Sequence, residues 1–302
     1  MPPITAENQR AGVTAAVFAY VVWGFFPLMF LQLDGVDPVL IVAHRIVWSL
    51  VVVGAILVFR KRLAEVWQAL RDRKALLRLC ASTVFVAVNW LTYVWAVENN
   101  HVLETSFGYF LNPLVNVLLG MVLLGERHNR WQWLAIGIAA IAMVLQTIGL
   151  SGIPWVAIAL AVTFALYGYM RKTVAAGSAT GLFVETLLLV PLSLGYILWS
   201  IATVGPGPQG TASGMFWLIF TGPATSLTLL LFAYGVQRLR LTTIGIIQYI
   251  APSIQFVLAV TVFAEELNTM RLFSFALIWL SLVIFTADSI RRARAPVPVL
   301  QP

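Results

Sequence analysis

Long apolar segments alternate with short polar breaks along the whole chain, and this pattern predicts a bundle of membrane-spanning helices. A helix needs about 20 apolar residues to cross a bilayer, and ten segments of about that length lie between charged or Gly- and Pro-containing breaks. A membrane β-barrel would instead show weakly alternating segments of about ten residues. The predicted helices cover residues 11–33, 38–59, 76–97, 102–124, 131–149, 153–170, 180–202, 215–237, 241–263 and 271–290.

The composition excludes an ordinary soluble domain. Hydrophobic residues make up 60% of the 302 residues and charged residues 10%, with a mean hydropathy of +0.90, whereas soluble domains carry about 25% charged residues. A net charge of +7 would suggest nucleic acid in a soluble chain, but here the basic residues lie at the ends of apolar segments. We therefore expect a lipid bilayer and a small-molecule substrate as partners, with no nucleic acid, no cofactor and no metal, and a monomer would suffice.

The basic residues also predict the orientation of the bundle. All but two of the 19 Lys and Arg residues fall on one side of the predicted topology, and the exceptions are Arg45, inside the second helix, and Arg271. Because Lys and Arg are enriched in cytoplasmic connections, both chain termini are predicted to be cytoplasmic. The opposite connections carry acidic residues instead, namely Asp34, Asp37, Glu98, Glu265 and Glu266.

The chain contains an internal repeat. At an offset of 139 residues, WAVENNHVLETSFGYFLNPLVNVLLGMVLLGE aligns with YGVQRLRLTTIGIIQYIAPSIQFVLAVTVFAE and places Pro113 on Pro252. An offset of 144 places Trp23 on Tyr167, each followed by glycine. Both alignments link a helix of the first half with one of the second half.

These alignments divide the chain into residues 1–150 and residues 151–302, with five predicted helices in each. Because five is odd, the second repeat enters the membrane with the opposite orientation, and such inverted repeats are typical of transporters that work by alternating access. The predicted fold class is therefore an all-α membrane protein of ten transmembrane helices, an inverted 5+5 repeat around a central cavity.

Four strings carry a resemblance to a known family: AYVVWGFFP, AHRIVWS, NWLTYVWAVENNHVLETSFGYFLNPLVNVLLGMVLLGER and QYIAPSIQF. They resemble the EamA-type drug/metabolite transporter superfamily, in its RarD branch, over nearly the whole chain from about Gly12 to Arg291. The resemblance implies a location in the bacterial inner membrane, a ten-helix fold with a central cavity, and a relationship to YddG-type exporters of amino acids. The family label does not fix the substrate.

No enzyme motif accompanies this pattern. The chain lacks H-E-x-x-H, G-x-x-x-x-G-K-[ST] and G-x-S-x-G, and its three histidines lie in three different segments. We interpret the chain as an exporter of small amphipathic metabolites, amino acids foremost, that works by alternating access down the gradient of the substrate. Proton-coupled efflux of drug-like compounds such as chloramphenicol is the alternative.

Polar groups within membrane helices are costly unless they face a cavity or a partner, so they are candidate site residues. Asn89 and Tyr93 lie four residues apart on one face of the third helix, while Trp90 is about 100° around the helix and is expected to pack between helices. Asn89 could instead bond to another helix. In the fourth helix, Tyr109 and Asn112 share a stripe.

Two prolines lie at matching positions of the repeat, Pro113 in the fourth helix and Pro252 in the ninth. A proline bends a helix and leaves a backbone carbonyl without its donor, so both are candidate gating kinks, although they could serve packing alone. Gln248 and Tyr249 stand beside Pro252, with Gln255 one turn further, and are predicted to line the cavity.

Four further residues complete the prediction. Trp23 and Tyr167 are the matched aromatic pair of the first and sixth helices and are predicted to contact substrate, or to serve packing. His44 could bind substrate, take a proton near neutral pH or cap a neighbouring carbonyl. Its neighbour Arg45 could attract a carboxylate, extend outward or pair with Asp34 or Asp37.

Glu185 is the carboxylate that lies well within an apolar segment, so it is the candidate for proton coupling. The competing interpretation is an ion pair with Arg171 or Lys172, which would keep the carboxylate from exchanging a proton in each transport cycle.

Overall fold

The structure, a computed structural model, describes residues 6–124, 129–149, 152–174, 176–236, 238–239 and 247–294, and its regular elements in these ranges are all helical. Six of these helices are long and apolar enough to cross a membrane, and three shorter ones are also apolar. The predicted all-helical membrane protein is confirmed. The helices are α1 (Ala6–Gly24), α2 (Phe26–Leu31), α3 (Pro38–Phe59), α4 (Leu63–Arg71), α5 (Arg73–Glu98), α6 (Val102–Leu124), α7 (Arg130–Gly149), α8 (Trp155–Thr173), α9 (Ser178–Thr203), α10 (Ala212–Val236), α11 (Ile250–Thr261) and α12 (Thr269–Arg294), with a short 3₁₀ helix at Gly207–Gly210.

The first predicted helix is two helices in the structure. The segment 11–33 was predicted as one element, but α1 ends at Gly24 and α2 begins at Phe26, with Pro27 in its first turn. A proline lacks the backbone N–H, so the helical hydrogen bond from residue 27 to the carbonyl four residues earlier cannot form. The proline therefore marks the place where the chain leaves one helix and enters the next.

The ninth predicted helix contains a turn that the sequence did not predict. Its predicted range starts at residue 241, but residues 241–246 lie outside the described part of the chain, and α11 begins at Ile250 after a turn at Gln248 and Tyr249. Pro252 consequently lies in the first turn of α11, where its missing N–H costs little. Pro113, in contrast, lies inside α6.

The helices expose apolar side chains outward and bury polar ones, as a lipid environment requires. Leu192, Leu198 and Val283 are 74%, 66% and 65% exposed, whereas Asn89 and Glu185 are 2% and 1% exposed. Polar chemistry is thus concentrated between the helices.

Helix packing leaves a space at the centre of the bundle. α5 packs against α8, and α1 packs against α10, while α6 contacts both α8 and α11. α3 lies between α9 and α10, and α7 packs mainly on α12. Among the described helices, those that contribute side chains to the wall of this space are α1, α2, α3, α5, α6, α8, α10 and α11.

Candidate functional site

The central cavity has a wall of aromatic rings interrupted by a few polar side chains. It lies where α1, α2, α3, α5, α6, α8, α10 and α11 approach one another. Cavities of this kind, mostly apolar with few polar groups, are typical of small-molecule sites. The lining residues are Tyr20, Trp23, Phe26, Arg45, Asn89, Trp90, Tyr93, Tyr109, Asn112, Phe164, Leu229, Gln248, Ala251, Pro252 and Gln255.

The aromatic rings of the wall contact one another in two groups. The ring centroids of Tyr93 and Tyr109 are 5.8 Å apart, and those of Tyr109 and Phe164 are 6.1 Å apart. In α1, the ring of Trp23 lies edge-on to the ring of Tyr20, and their centroids are 5.1 Å apart. Contacts at these distances hold the rings in fixed orientations, so the wall is preformed for a flat or branched apolar group.

Arg45 is the charged group of this wall. Its side chain is buried, with 4% of the residue exposed, and its Nε donates to Thr225 Oγ1 at 2.6 Å. The guanidinium carbon lies 4.4 Å from the ring centre of Trp90 and 5.7 Å from that of Phe26. The pairing with Asp34 or Asp37 that the sequence allowed is not present.

Amide side chains connect the helices around the cavity. Asn89 Nδ2 donates to the carbonyl of Leu160 at 3.1 Å and to Thr163 Oγ1 at 3.0 Å, so it takes the role of a link between α5 and α8. Gln255 Nε2 donates to the carbonyl of Trp23 at 3.2 Å and to Tyr93 Oη at 3.1 Å. These bonds fix the positions of the lining residues.

Eight of the predicted site residues come together at this cavity, namely Trp23, Asn89, Tyr93, Tyr109, Asn112, Gln248, Pro252 and Gln255. Five others lie away from its wall, namely His44, Pro113, Tyr167, Glu185 and Tyr249. Pro113 is buried inside α6, and the Tyr249 ring packs against Phe110 with centroids 6.2 Å apart. Tyr249 immediately precedes α11 and is not among the residues that line the cavity.

His44 lies near the beginning of α3 and faces a connection instead of the cavity. Its Nε2 is 3.0 Å from Oε1 of Gln209 in the 3₁₀ helix. Because His44 and Arg45 are consecutive residues of one helix, they point about 100° apart. The helix can therefore direct only one of the two toward the cavity, and that residue is Arg45.

Glu185 and Tyr167 form a separate buried cluster. Glu185 Oε1 lies 3.6 Å from Nη1 of Arg171 and accepts a 2.6 Å hydrogen bond from Ser82 Oγ. Tyr167 Oη donates to Oε2 at 3.3 Å. The ion pair with Arg171 that the sequence suggested is present, while the side chain of Lys172 lies outside the described residues. The cluster joins α5, α8 and α9.

Four aromatic lining residues were missed or misassigned from the sequence, as were Leu229 and Ala251. Trp90 was expected to pack between helices, but it lies in the wall and under the guanidinium of Arg45. Tyr20, Phe26 and Phe164 carried no polar signal in the sequence that distinguished them from other membrane aromatics. The Arg45–Trp90 contact did have a sequence signal. Arg45 and Trp90 lie inside consecutive predicted membrane helices, and an arginine within a membrane helix can stack on an aromatic ring of a neighbouring helix.

The carboxylate of Glu265 caps the N-terminus of α6. Glu265, in the connection after α11, accepts hydrogen bonds from the backbone N–H groups of Val102 at 2.5 Å and Leu103 at 3.1 Å. A helix N-terminus favours a negative charge, whereas burial opposes it and raises the pKa of Glu265 to about 7. Glu104 lies in the first turn of the same helix, 2.7 Å from Nδ1 of His101.

Comparison with known proteins agrees with this architecture. Residues 10–148 match the EamA-like transporter family. "Protein RarD" of Salmonella typhi is 40% identical over 96% of this chain and 99% of that protein. The chain belongs to the EamA-like transporter family. Its relatives identify the RarD branch of the drug/metabolite transporters, as the sequence resemblance predicted.

A further relative and a solved structure are also similar to this chain. "Chloramphenicol-sensitive protein RarD" of Pseudomonas aeruginosa is 29% identical over 94% of this chain and 96% of that protein. A crystal structure with 18% sequence identity superposes with a TM-score of 0.60, covering 95% of this chain and 99% of the other, which shows a shared fold. EamA-family proteins are membrane transporters and not enzymes, so this protein is a multi-pass bacterial membrane protein that transports small molecules.

Proposed function

We propose that this EamA-family protein exports small amphipathic metabolites, amino acids foremost, through the central cavity by alternating access. The observation that carries the proposal is the composition of the cavity wall, in which aromatic rings alternate with Arg45 and side-chain amides. Such a wall suits a molecule that has one apolar and one polar part. Trp23, Asn89, Tyr93, Tyr109, Asn112 and Gln248 are the proposed substrate contacts.

Alternating access requires two halves that exchange conformations, and helix packing supports the predicted repeats 1–150 and 151–302. The contact of α5 with α8 has its counterpart in the contact of α10 with α1 when each helix is shifted by one repeat. The counterpart helices α3 and α9 also pack on each other, as do α7 and α12. A pseudo-twofold arrangement produces both kinds of contact.

Two deep charges support the same symmetry. Arg45 lies seven residues after Pro38, the first residue of α3, and Glu185 lies seven residues after Ser178, the first residue of α9. Each is bonded to a hydroxyl on another helix, Arg45 to Thr225 of α10 and Glu185 to Ser82 of α5. We propose that both termini of the chain lie on the cytoplasmic side, that Pro113 inside α6 and Pro252 beside the turn that precedes α11 are gating kinks, and that a monomer suffices.

His44, Tyr167 and Tyr249 take supporting roles in this proposal. They contact Gln209, Glu185 and Phe110 respectively, so each stabilises an interface that borders the cavity.

Transport by purified protein in proteoliposomes tests the proposal. We expect saturable uptake of labelled phenylalanine, and acceleration by unlabelled phenylalanine on the opposite side, because a carrier exchanges substrate while a channel does not. Tyr109→Ala should reduce the flux, since it removes the ring that joins Tyr93 and Phe164, whereas Leu192→Ala on the exposed surface of α9 is the matched control.

Labelling of single cysteines gives a second test. Cysteines at positions 93 and 109 should react with a small water-soluble thiol reagent in at least one state of the cycle. Lack of reaction at both positions in inward-facing and outward-facing protein would contradict a substrate path through this cavity.

A relative's name favours a second candidate, efflux of neutral drug-like compounds. The Pseudomonas aeruginosa protein is called chloramphenicol-sensitive, and aromatic walls also accept drugs. Uptake of labelled chloramphenicol and of labelled phenylalanine into the same proteoliposomes separates the two candidates, because chloramphenicol flux with no phenylalanine flux supports drug efflux and contradicts amino-acid export.

A further inference from the structure

We propose that Arg45 is the substrate-binding residue for a carboxylate, so that the ligands of the central cavity are small carboxylates with an aromatic or large aliphatic group. The inference rests on the proposed function and identifies the chemical class that the same cavity accepts. It starts from the hydrogen bonds of one side chain.

The guanidinium of Arg45 has more donors than acceptors around it. Its hydrogen bond within the described residues is the one from Nε to Thr225, and Nη1 is buried without an acceptor. An arginine carries five N–H donors. The terminal edge of the guanidinium, formed by Nη1 and Nη2, is therefore the part that a ligand can satisfy.

The charge of Arg45 also has no counterion among the described residues. None of the ion pairs between those residues includes Arg45, although the residue is only 4% exposed. Removing a charge from water without a partner is costly. A carboxylate that enters with the substrate would supply the missing charge and two acceptors in the planar geometry that arginine prefers.

The surroundings hold the guanidinium ready for such a ligand. Trp90 lies 4.4 Å from the guanidinium carbon on one side, and Thr225 fixes Nε at 2.6 Å. A side chain held by stacking and by a hydrogen bond loses little further freedom when it binds a ligand. Lysine could not reproduce this arrangement, because its ammonium is a point charge without a stacking face.

The other lining residues determine which chemical groups the ligand carries besides its carboxylate. The described lining contains aromatic and aliphatic side chains and amides, with no acidic residue, so it does not favour dications or polyamines. Asn112 Oδ1 is buried without a hydrogen-bond donor and lies in the same wall. It would accept a hydrogen bond from an α-ammonium group, which makes apolar α-amino acids better ligands than acids without an amino group.

Four related probes separate the contributions of the two polar groups. Binding of 3-phenylpropanoate, 3-phenylpropanamide, L-phenylalanine and L-phenylalaninamide to the purified full-length protein can be measured by calorimetry and by quenching of tryptophan fluorescence. We expect each carboxylate to bind at least about tenfold more tightly than its amide, because a hydrogen bond to a charged group is lost. L-Phenylalanine should bind more tightly than 3-phenylpropanoate.

The same ligands applied to variants test the assignment to Arg45. Arg45→Gln should bind 3-phenylpropanoate no better than its amide, and Arg45→Lys should retain part of the preference. Arg271→Gln, which changes an arginine outside the cavity wall, is the matched control and should behave as the unchanged protein does. Thermal unfolding in detergent shows whether each variant is folded.

Three outcomes would overturn the proposal. They are equal binding of carboxylate and amide by the unchanged protein, no binding of either carboxylate, and an unchanged preference in folded Arg45→Gln. The comparison of probes on the unchanged protein needs no variant, so a misfolded variant does not remove the test. If carboxylate preference is present but proteoliposomes show no flux, the proposed function fails while the assignment of Arg45 stands.

Discussion

Replacement of Glu185 by glutamine tests the role of this buried carboxylate, which is 1% exposed. The change keeps the size of the side chain but removes the charge that faces Arg171 at 3.6 Å. The oxygen that accepts the 2.6 Å bond from Ser82 can remain in place. The variant therefore isolates the ion pair from the packing around it.

The structure sets the expected loss of stability. Removing one member of a fully buried ion pair costs about 3–5 kcal/mol. Glu185 is 1% exposed, but the side chain of Arg171 is 15% exposed, and its Nη2 donates to the carbonyls of Gly177 and Ser178 at 3.4 Å. Arg171 therefore keeps partners and some water, and we expect a loss of about 2–3 kcal/mol.

A double-mutant cycle measures the pair itself. Arg171→Gln combined with Glu185→Gln should be less destabilised than the sum of the two single variants, by roughly 0.5–3 kcal/mol, in urea or thermal unfolding in mild detergent. Ser82→Ala is the control for the hydrogen bond alone and should cost about 1 kcal/mol. Strict additivity would refute the assignment of the stability to the Glu185–Arg171 pair.

Transport by the same variant tests proton coupling. Because Glu185 is already bonded to Arg171, Ser82 and Tyr167, we expect it to keep one protonation state through the cycle. An imposed pH difference should then not drive substrate above equilibrium in the unchanged protein, and Glu185→Gln should retain exchange. Accumulation driven by pH and abolished in Glu185→Gln would refute this reasoning and identify Glu185 as the coupling site.

Three further predictions concern packing, pH and orientation. Gly222→Ala should destabilise the bundle by about 1–3 kcal/mol, because the new Cβ would lie 2.3 Å from Cβ of Trp48, whereas Gly195→Ala, with nothing within 4 Å, should be tolerated in the same unfolding assay. Burial raises the pKa of Glu265 from 4.5 to about 7, so the folded protein favours the protonated carboxyl group. The free energy of unfolding should therefore fall as pH rises from about 4.5 to 7. Glu265→Gln should remove this pH dependence, and an identical pH dependence in the variant would contradict the prediction. A reporter fused after Arg292 should be cytoplasmic, and a periplasmic signal would mean that a helix has been miscounted.

The sequence alone determined that the chain is a membrane bundle and where most helices lie. Hydropathy and breaks are local properties, and a long apolar segment has no stable alternative to a helix in lipid. The predicted second helix, 38–59, coincides with α3, where Asp37 caps the first turn and Pro38 starts the helix. The break at Phe25 and the turn at Gln248 and Tyr249 were missed because apolar residues continue through both.

The residues of the site could be predicted from the sequence only where a polar side chain lies within an apolar membrane helix. Asn89, Tyr93, Tyr109 and Asn112 were recognised because polar side chains in membrane helices are directed inward, and they lie in the cavity wall. Polarity does not say which inward partner a residue finds. The side-chain amide of Asn89 donates hydrogen bonds to Leu160 and Thr163.

Only the tertiary structure decided how each helix is rotated about its axis. The packing of α3 against α9 and α10 directs Arg45 to Trp90 and the cavity while His44 meets Gln209. The two residues are adjacent in sequence and both are polar, so the sequence pattern alone does not show which of them faces the cavity. The rotation is set by side chains from distant parts of the chain that fill the space on either side, and this arrangement leaves the guanidinium of Arg45 buried in the cavity wall without a counterion among the described residues.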